Sequence, residues 1–357
     1  MSAGGVRAFT RGDIPRVAAL RRRLFTSTVH VDAAASEAYF DLVFFGNPWR
    51  DLDLPSLVYE DADGQLTGFL GVIPRPMRFR GRRVRMAVTS QFMAERGAAG
   101  LRLLSRFMDG PQDLSFSDAA NDASRRVWES LGGTTAVVQS LHWEIPVRPL
   151  RNELAHLGDH PAVRAARLIA RPIVAAADAA WQTAAGRHRP SAVDALARAP
   201  LTPRDVAELF PTLCAEPALV PEYSEASVRW LLDRLGEQHG PDALHGRLVR
   251  DTDGAAVGWY LYERRGIVAE LVQLTARAGR WRDMLQVLRD DARDDGAGAV
   301  AGRLDPRHVA ELPVLPGGLR PRSFWSLMHA RDPEIALALL RGDAALSRLD
   351  AEWWVNF

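Results

Sequence analysis

Hydrophobic spacing divides the chain into short strands and amphipathic helices. Val6–Phe9 alternates as a strand, and Ile14, Val17, Leu20 and Leu24 share one face of a helix from Asp13 to about Phe25. A second helix is expected at Ala33–Phe45. Ser56–Glu60 and Leu66–Ile73 read as strands around Asp61-Ala-Asp-Gly64, a hairpin signal. Arg83–Met93 is the next strand, entered through Arg80-Gly81. Leu101–Met108 is helical, Asp113–Phe116 extended, and Asp122–Leu131 a helix stopped by Gly132-Gly133. Thr135–Ile145 closes this half as a strand. Interleaved strands and helices imply an α/β domain with a mixed sheet.

Residues 150–200 differ. Pro161–Gly186 is Ala-rich and helical in pattern, broken at Pro172, with Pro190 and Pro200 marking its exit. A helical connector is expected here. The second half then repeats the order of the first. Thr202-Pro-Arg-Asp205 opens a helix to about Leu213, as Thr10-Arg-Gly-Asp13 does in the first half. Ser227–Leu235 is helical. Gly246–Arg250 and Ala256–Arg264 flank Asp251-Thr-Asp-Gly254, the counterpart of Asp61–Gly64. Strand Ile267–Thr275, helix Arg280–Asp294, strand Ala299–Arg303, a short helix at Pro306–Leu312 and strand Phe324–His329 follow. The matching order suggests internal duplication. The expected division is a domain at 1–148, a connector at 149–200 and a second domain at 201–357.

Composition narrows the chemistry. The 357 residues carry 45 basic side chains, all arginine. Without lysine there is no Schiff-base catalysis, no phosphate-loop lysine and no protein-kinase strand lysine. A net charge of +1 argues against a general nucleic-acid binder. The lone Cys214 excludes an intrachain disulfide and a cysteine metal cluster, and is expected to pack as a small apolar residue. The histidines, among them His30, His142, His245, His308 and His329, lack metal-site spacing, so no metal is expected. Neither a signal peptide nor a transmembrane run stands out, so a cytoplasmic protein is expected.

Three segments of the first half carry candidate chemistry. Strand Val84–Met93 runs into Glu95-Arg-Gly-Ala-Ala-Gly-Leu101 and then a helix. A small-residue turn entering a helix aims free N–H groups and the positive helix end at an anion. Asn121-Asp-Ala-Ser-Arg-Arg-Val-Trp-Glu-Ser-Leu-Gly-Gly133 follows a strand, and Val6–Ile14 precedes an amphipathic helix. Residues 6–146 thereby resemble the GNAT superfamily of acyl-CoA-dependent N-acyltransferases. In that family Q/R-x-x-G-x-G/A binds the cofactor pyrophosphate, and an Asn-led helix, N-x-x-A-x-x-x-Y-x-x-x-G-F, lies near the acyl thioester.

The resemblance implies two GNAT-like α/β domains, the second degenerate, and acetyl-CoA or another acyl-CoA as acyl donor. It implies that strand backbone at Phe92 and Met93 holds the pantetheine. Gly97, Ala98, Ala99, Gly100 and Leu101 would cradle the pyrophosphate, with Arg96 and Arg102 the nearest cations and Asn121 at the thioester end. This chain departs from the pattern. Anchored on Arg96, the small-residue slots fall on Ala99 and Leu101; anchored on Glu95, they fall on Ala98 and Gly100, the better register. Trp128 stands where the family carries tyrosine and cannot supply that residue's proton, so it is expected to be a core residue.

A general base is harder to place. Strand Val84–Met93 has no carboxylate, and Ser90 could act only through water. Glu270, on the equivalent strand of the second half, is the carboxylate candidate. The arginines of Arg75–Arg85 are expected to form a solvated, charged hairpin edge, with an anion site as the alternative. The apolar tail Trp353–Phe357 is expected to dock. The function these residues point to is acyl transfer from CoA to an amine of a small molecule or peptide. The alternatives are a silent binding or scaffold protein of this fold, or a tandem transferase acting on a large cell-wall or aminoacyl acceptor. The acceptor and the oligomeric state are open.

Overall fold

The computed structural model describes residues 4–25, 32–156, 195–240, 243–313, 319–321 and 324–352, with isolated positions 174, 176–178, 180 and 193. Most of the Pro161–Gly186 segment, with Pro172 and Pro190, lies outside the described residues, as does the Trp353–Phe357 tail.

Along the chain run β1 (Gly5–Ala8), α1 (Ile14–Leu24), α2 (Ala33–Phe45), β2 (Leu57–Glu60), β3 (Leu66–Phe79), β4 (Arg82–Ala94), α3 (Gly97–Met108), β5 (Leu114–Ala120), α4 (Asp122–Ser130), β6 (Thr134–Thr135) and β7 (Leu141–Pro146). Then come α5 (Pro149–His156), β8 (Ala197–Pro200), α6 (Pro203–Leu213), β9 (Leu219–Pro221), α7 (Glu225–His239), β10 (Leu244–Arg250), β11 (Ala256–Arg265), β12 (Val268–Ala276) and α8 (Trp281–Asp294). The chain finishes with β13 (Ala299–Arg303), β14 (Leu319–Pro321), β15 (Trp325–Ala330) and α9 (Pro333–Arg341).

These elements form two units. The first holds residues 1–140, 216–231 and 322–357; the second holds 141–215 and 232–321. The first sheet is ordered β1-β2-β3-β4-β5-β15-β6, with β9 also on β3. The second is ordered β14-β7-β13-β12-β11-β10-β8. Each is antiparallel except at one pair, β4/β5 in the first and β12/β13 in the second. Each parallel pair is joined through one helix, α3 or α8, as parallel pairing requires. The repeated order expected from the sequence is present.

The contiguous boundaries are corrected. The expected strand Thr135–Ile145 is broken: β6 stays in the first sheet, Val138–Ser140 make a helical turn, and β7 pairs with β13 in the second. In return β15, expected in the second domain, pairs with β5 and β6 in the first. The reason is edge satisfaction. The exposed edge of β5 finds its antiparallel partner late in the chain, and that of β13 finds it early. The connector also ends sooner than expected, since Ala197–Pro200 forms β8 against β10.

The first sheet is covered on both faces. On one, Leu103, Leu104 and Phe107 of α3 and Trp128 of α4 pack on Leu70, Val72, Ala87 and Leu327. Each of the leucine, valine and phenylalanine side chains contributes roughly 1.5–3 kcal/mol of burial. On the other, Phe69 meets Phe9, Phe40 and Phe44 edge-on at 5.0–5.5 Å between ring centres. Strand β3 runs past its expected end at Ile73, through Pro74 and Pro76. Those prolines fall between the stretch of its edge paired to β2 and the stretch paired to β9, where a missing N–H costs no ladder bond. In the second unit Trp281, Met284, Leu285 and Leu288 of α8 pack on Tyr260, Tyr262, Ala269 and Val300. Cys214 is buried, as expected, with its sulfur 3.6 Å from Nη1 of Arg307.

Candidate active site

The site begins at an irregularity in β4. Gly71 pairs with Ser90 and Phe69 with Met93, so Gln91 and Phe92 together face Leu70. This is a β-bulge, and Gln91 takes φ of 52° to make it. Gly71 is required opposite: a Cβ there would lie 2.5 Å from the Phe44 ring and 2.6 Å from the Ser90 carbonyl. Ser90 itself is buried, and its hydroxyl has no partner among the described residues.

The parallel ladder between β4 and β5 covers only Met86–Val88 against Leu114–Phe116. Both strands continue, to Ala94 and Ala120, so residues 89–94 and 117–120 are not paired with each other. Ligands in such sheets bind at the carboxyl ends of parallel strands. Here those ends lead into α3 and α4.

Helix α3 follows β4 after only Glu95 and Arg96, so most of the expected cofactor loop is the first turn of a helix. Its leading amides receive no side-chain cap, and the space at Gly97 is open. An uncapped helix start with a small residue at its mouth can take an anion. Gly100 lies a turn further in, where a Cβ would lie 3.3 Å from Phe92 and 3.4 Å from Ala94. Its smallness serves packing of α3 on the bulge. Ala99 is buried, Leu101 is exposed, and Arg102 reaches away to the Gly4 carbonyl and the Tyr59 hydroxyl, both at 3.2 Å. Exposed Arg96 is the cation at the helix mouth.

After β5, Asn121 caps α4, its Oδ1 accepting from the Ser124 amide at 2.9 Å. Trp128 is in the core, as expected, donating to the Met328 carbonyl at 3.0 Å. Its ring lies so close to Gly133 that any Cβ there would overlap it.

The carboxylate at this site is one that sequence reading missed. Glu352 is buried, and its Oε1 accepts from Ser117 Oγ (2.6 Å), the Ala119 amide (3.1 Å) and the Asp118 amide (3.3 Å). The amides converge because the β5/β15 register slips: Trp325 faces Ala120 and Leu327 faces Ser117, leaving Asp118 and Ala119 against Ser326 alone. Burial, and then the charge of Asp118, push the Glu352 carboxyl up to about 8. The segment is anchored two residues earlier. Asp350 accepts from Arg75 Nη2 (3.1 Å) and Tyr223 (2.6 Å), and the Arg75 guanidinium lies 4.0 Å from the Trp49 ring centre. The only sequence signal was the apolar tail just beyond Glu352.

Arg75 thus leaves the expected solvated hairpin edge and is corrected to a core ion pair. The other arginines of the hairpin face carboxylates: Arg78 and Arg83 on Glu222, Arg80 on Glu334, Arg82 on Asp113 and Asp332, Arg85 on Asp51 and Asp53.

Ser90, Phe92, Met93, Arg96–Arg102 and Asn121 therefore belong to one unit, around the ends of β4 and β5. Glu270 belongs to the other, on β12 opposite Glu263 and Ala301. That unit has a polar cavity of about 150 Å³ lined in part by His245, Arg247, Tyr260, Tyr262, Asp291 and Asp295. Its groups satisfy one another: Tyr260 donates to Asp291, Tyr262 to Asp295, and Arg198 pairs with Asp291 at 3.0 Å. Burial, then these carboxylates, raise both phenols.

No family model and no curated protein matches the sequence. Solved structures do match it in fold. A GCN5-related N-acetyltransferase from Kribbella flavida superposes with a TM-score of 0.56 at 14% identity, over 92% of this chain and 71% of that one. One from Anabaena variabilis gives 0.57 at 13%, over 92% and 72%. Eis1 from Mycobacterium abscessus gives 0.54 at 15%, over 94% and 76%. The chain has the mixed α/β fold of the GNAT N-acyltransferases, in a two-domain arrangement. Among the described residues no helix is long and apolar enough to cross a membrane.

Proposed function

We propose that the chain is an acyl-CoA-dependent N-acyltransferase, with its donor site in the first unit. One observation carries this reading. The bulged end of β4 is released from β5 and leads within two residues into a helix whose first amides are uncapped. That geometry suits a long donor with an anionic end. The pyrophosphate would meet the amides at Gly97 and Ala98 with Arg96 beside them. The pantetheine arm would run along the free backbone edge at Phe92 and Met93. Acyl-CoA supplies an activated thioester. The chain supplies alignment of an amine against it, which is worth several kcal/mol. Asn121 contributes by fixing the start of α4.

The amine belongs to a small molecule or peptide. Acetyl-CoA is the first donor to test, by calorimetric titration of the full chain. Saturable one-to-one binding is expected. Absence of binding at millimolar acetyl-CoA would favour the silent scaffold reading, to which the short Glu95-Arg96 link lends some support.

A further inference from the structure

We infer that Glu352 is the general base of the acyl transfer, drawing a proton from the acceptor ammonium through its Oε2; the inference rests on the acyltransferase reading above. Strand β4 from Arg82 to Ala94 carries no carboxylate, and Glu95, just beyond it, is paired to Arg23 at 2.8 Å. Glu352 is held instead on Ser117–Ala119, the part of β5 that the β4 ladder does not reach. Its two oxygens are inequivalent. Oε1 holds three donors, whereas Oε2 accepts no hydrogen bond among the described residues. One oxygen is thereby fixed and the other is left to accept.

The side chain is held on a prepared support. Its own amide donates to Asp118 Oδ1 at 3.2 Å, and the preceding turn is locked by Arg75 and Asp350. Asp118 is the charged group that acts on it most, and like burial it favours the protonated carboxyl. A base poised near neutrality suits proton removal from an ammonium.

The step balances without a further reactant. Glu352 takes one proton from the R–NH3⁺ acceptor. The freed lone pair forms the C–N bond at the thioester carbonyl, and the C–S bond breaks with its electron pair on sulfur. A second nitrogen proton passes to that thiolate, giving CoA thiol. The proton on Glu352 returns to solvent, leaving the amide.

The test measures acetyl-CoA affinity and thiol release from acetyl-CoA with primary-amine probes (a polyamine, an aminoglycoside and a lysine-containing peptide), from pH 6 to 9.5. In the unaltered protein the rate should rise with pH through a limb near 8. Glu352→Gln should keep acetyl-CoA affinity within about twofold and lower kcat roughly 100-fold or more, with the limb lost. Ser117→Ala, which removes one donor from Oε1, should move the limb upward; it gives a second reading if the Gln variant does not fold. A Gln variant with kcat and pH profile unchanged overturns the inference, as does a limb that Ser117→Ala leaves in place. So does an unaltered protein that binds acetyl-CoA yet releases no thiol with any probe. Failure to bind acetyl-CoA instead removes the acyltransferase reading itself.

Discussion

Removing the Asp350 side chain should cost far more than removing its cationic partner. Arg75 and Asp350 are almost wholly buried, with side chains 2% and 1% exposed. In Asp350→Ala the guanidinium keeps only the Leu349 carbonyl at 3.2 Å and the Trp49 face, and its Nη1 has no partner among the described residues. Stranding a buried charge costs about 3–5 kcal/mol. The variant also loses the Asp350 bonds to Ser347, a cap worth about 1 kcal/mol, and leaves the Tyr223 hydroxyl without its acceptor. In Arg75→Met, by contrast, Asp350 keeps donors from Tyr223, the Ser347 amide and the Ser347 hydroxyl, and methionine refills part of the space. Its cost should be about 2 kcal/mol smaller. Urea denaturation followed by circular dichroism and tryptophan fluorescence measures both, read on the transition of the unit that carries Trp49. Two-state treatment applies to that transition alone, because the chain has two units. Equal losses, or a larger loss for Arg75→Met, would refute the account of how the C-terminal segment is anchored.

Two further outcomes follow from other sites. Gly97→Glu should act in opposite directions on stability and binding. An acid in the first turn of α3 stabilises the helix by about 0.3–1 kcal/mol, yet it repels a pyrophosphate by roughly 1 kcal/mol or more at ~4–5 Å in water. Tm should rise slightly and acetyl-CoA affinity fall about tenfold; unchanged affinity would remove the helix mouth from the donor site. The Arg7 cluster sets an acid limit. Hydrogen bonds from Arg7 hold Asp13 well below the usual carboxylate range, and those from Arg7 and Arg16 hold Glu60 at about 2 against an ordinary 4.5. Because these folded values are depressed, the stability they give is full above the ordinary value and is lost progressively below it, as pH falls through the folded values. Arg7→Gln should flatten that loss in thermal melts between pH 5 and 2.

Much of the fold was legible because local rules and tertiary packing agree. The Asp61–Gly64 and Asp251–Gly254 turns, the amphipathic α1 and the glycine stop after α4 lie where spacing puts them. The errors fall where a distant partner decides. Nothing near Leu141 announces that β7 joins the second sheet, since either sheet would accept an alternating strand. Pro74 and Pro76 read as strand breakers because the open edge that tolerates them is a property of the sheet. At the site, the strand-to-helix junction after β4 was visible as small residues entering a helix. Glu352 was not, because its environment is built from Ser117, Asp118 and Ala119, more than 230 residues upstream, and no local pattern marks a carboxylate for burial.

The exchange of β7 and β15 bears on how the chain comes into being. Emerging from the ribosome, the first sheet lacks β15 until Trp325–Ala330 has been made, nearly 200 residues after β6. Until then the β5 edge is bare and the Trp128 indole N–H lacks the Met328 carbonyl. Residues 141–321, by contrast, hold every strand of the second sheet and can close first. Folding should therefore run against the usual N-terminal-first order, with residues 1–140 waiting on β15. A nascent chain halted near residue 300 would present an unpaired strand to chaperones. The step that docks β15 also brings Glu352 to β5, so the first sheet and the candidate site are completed together.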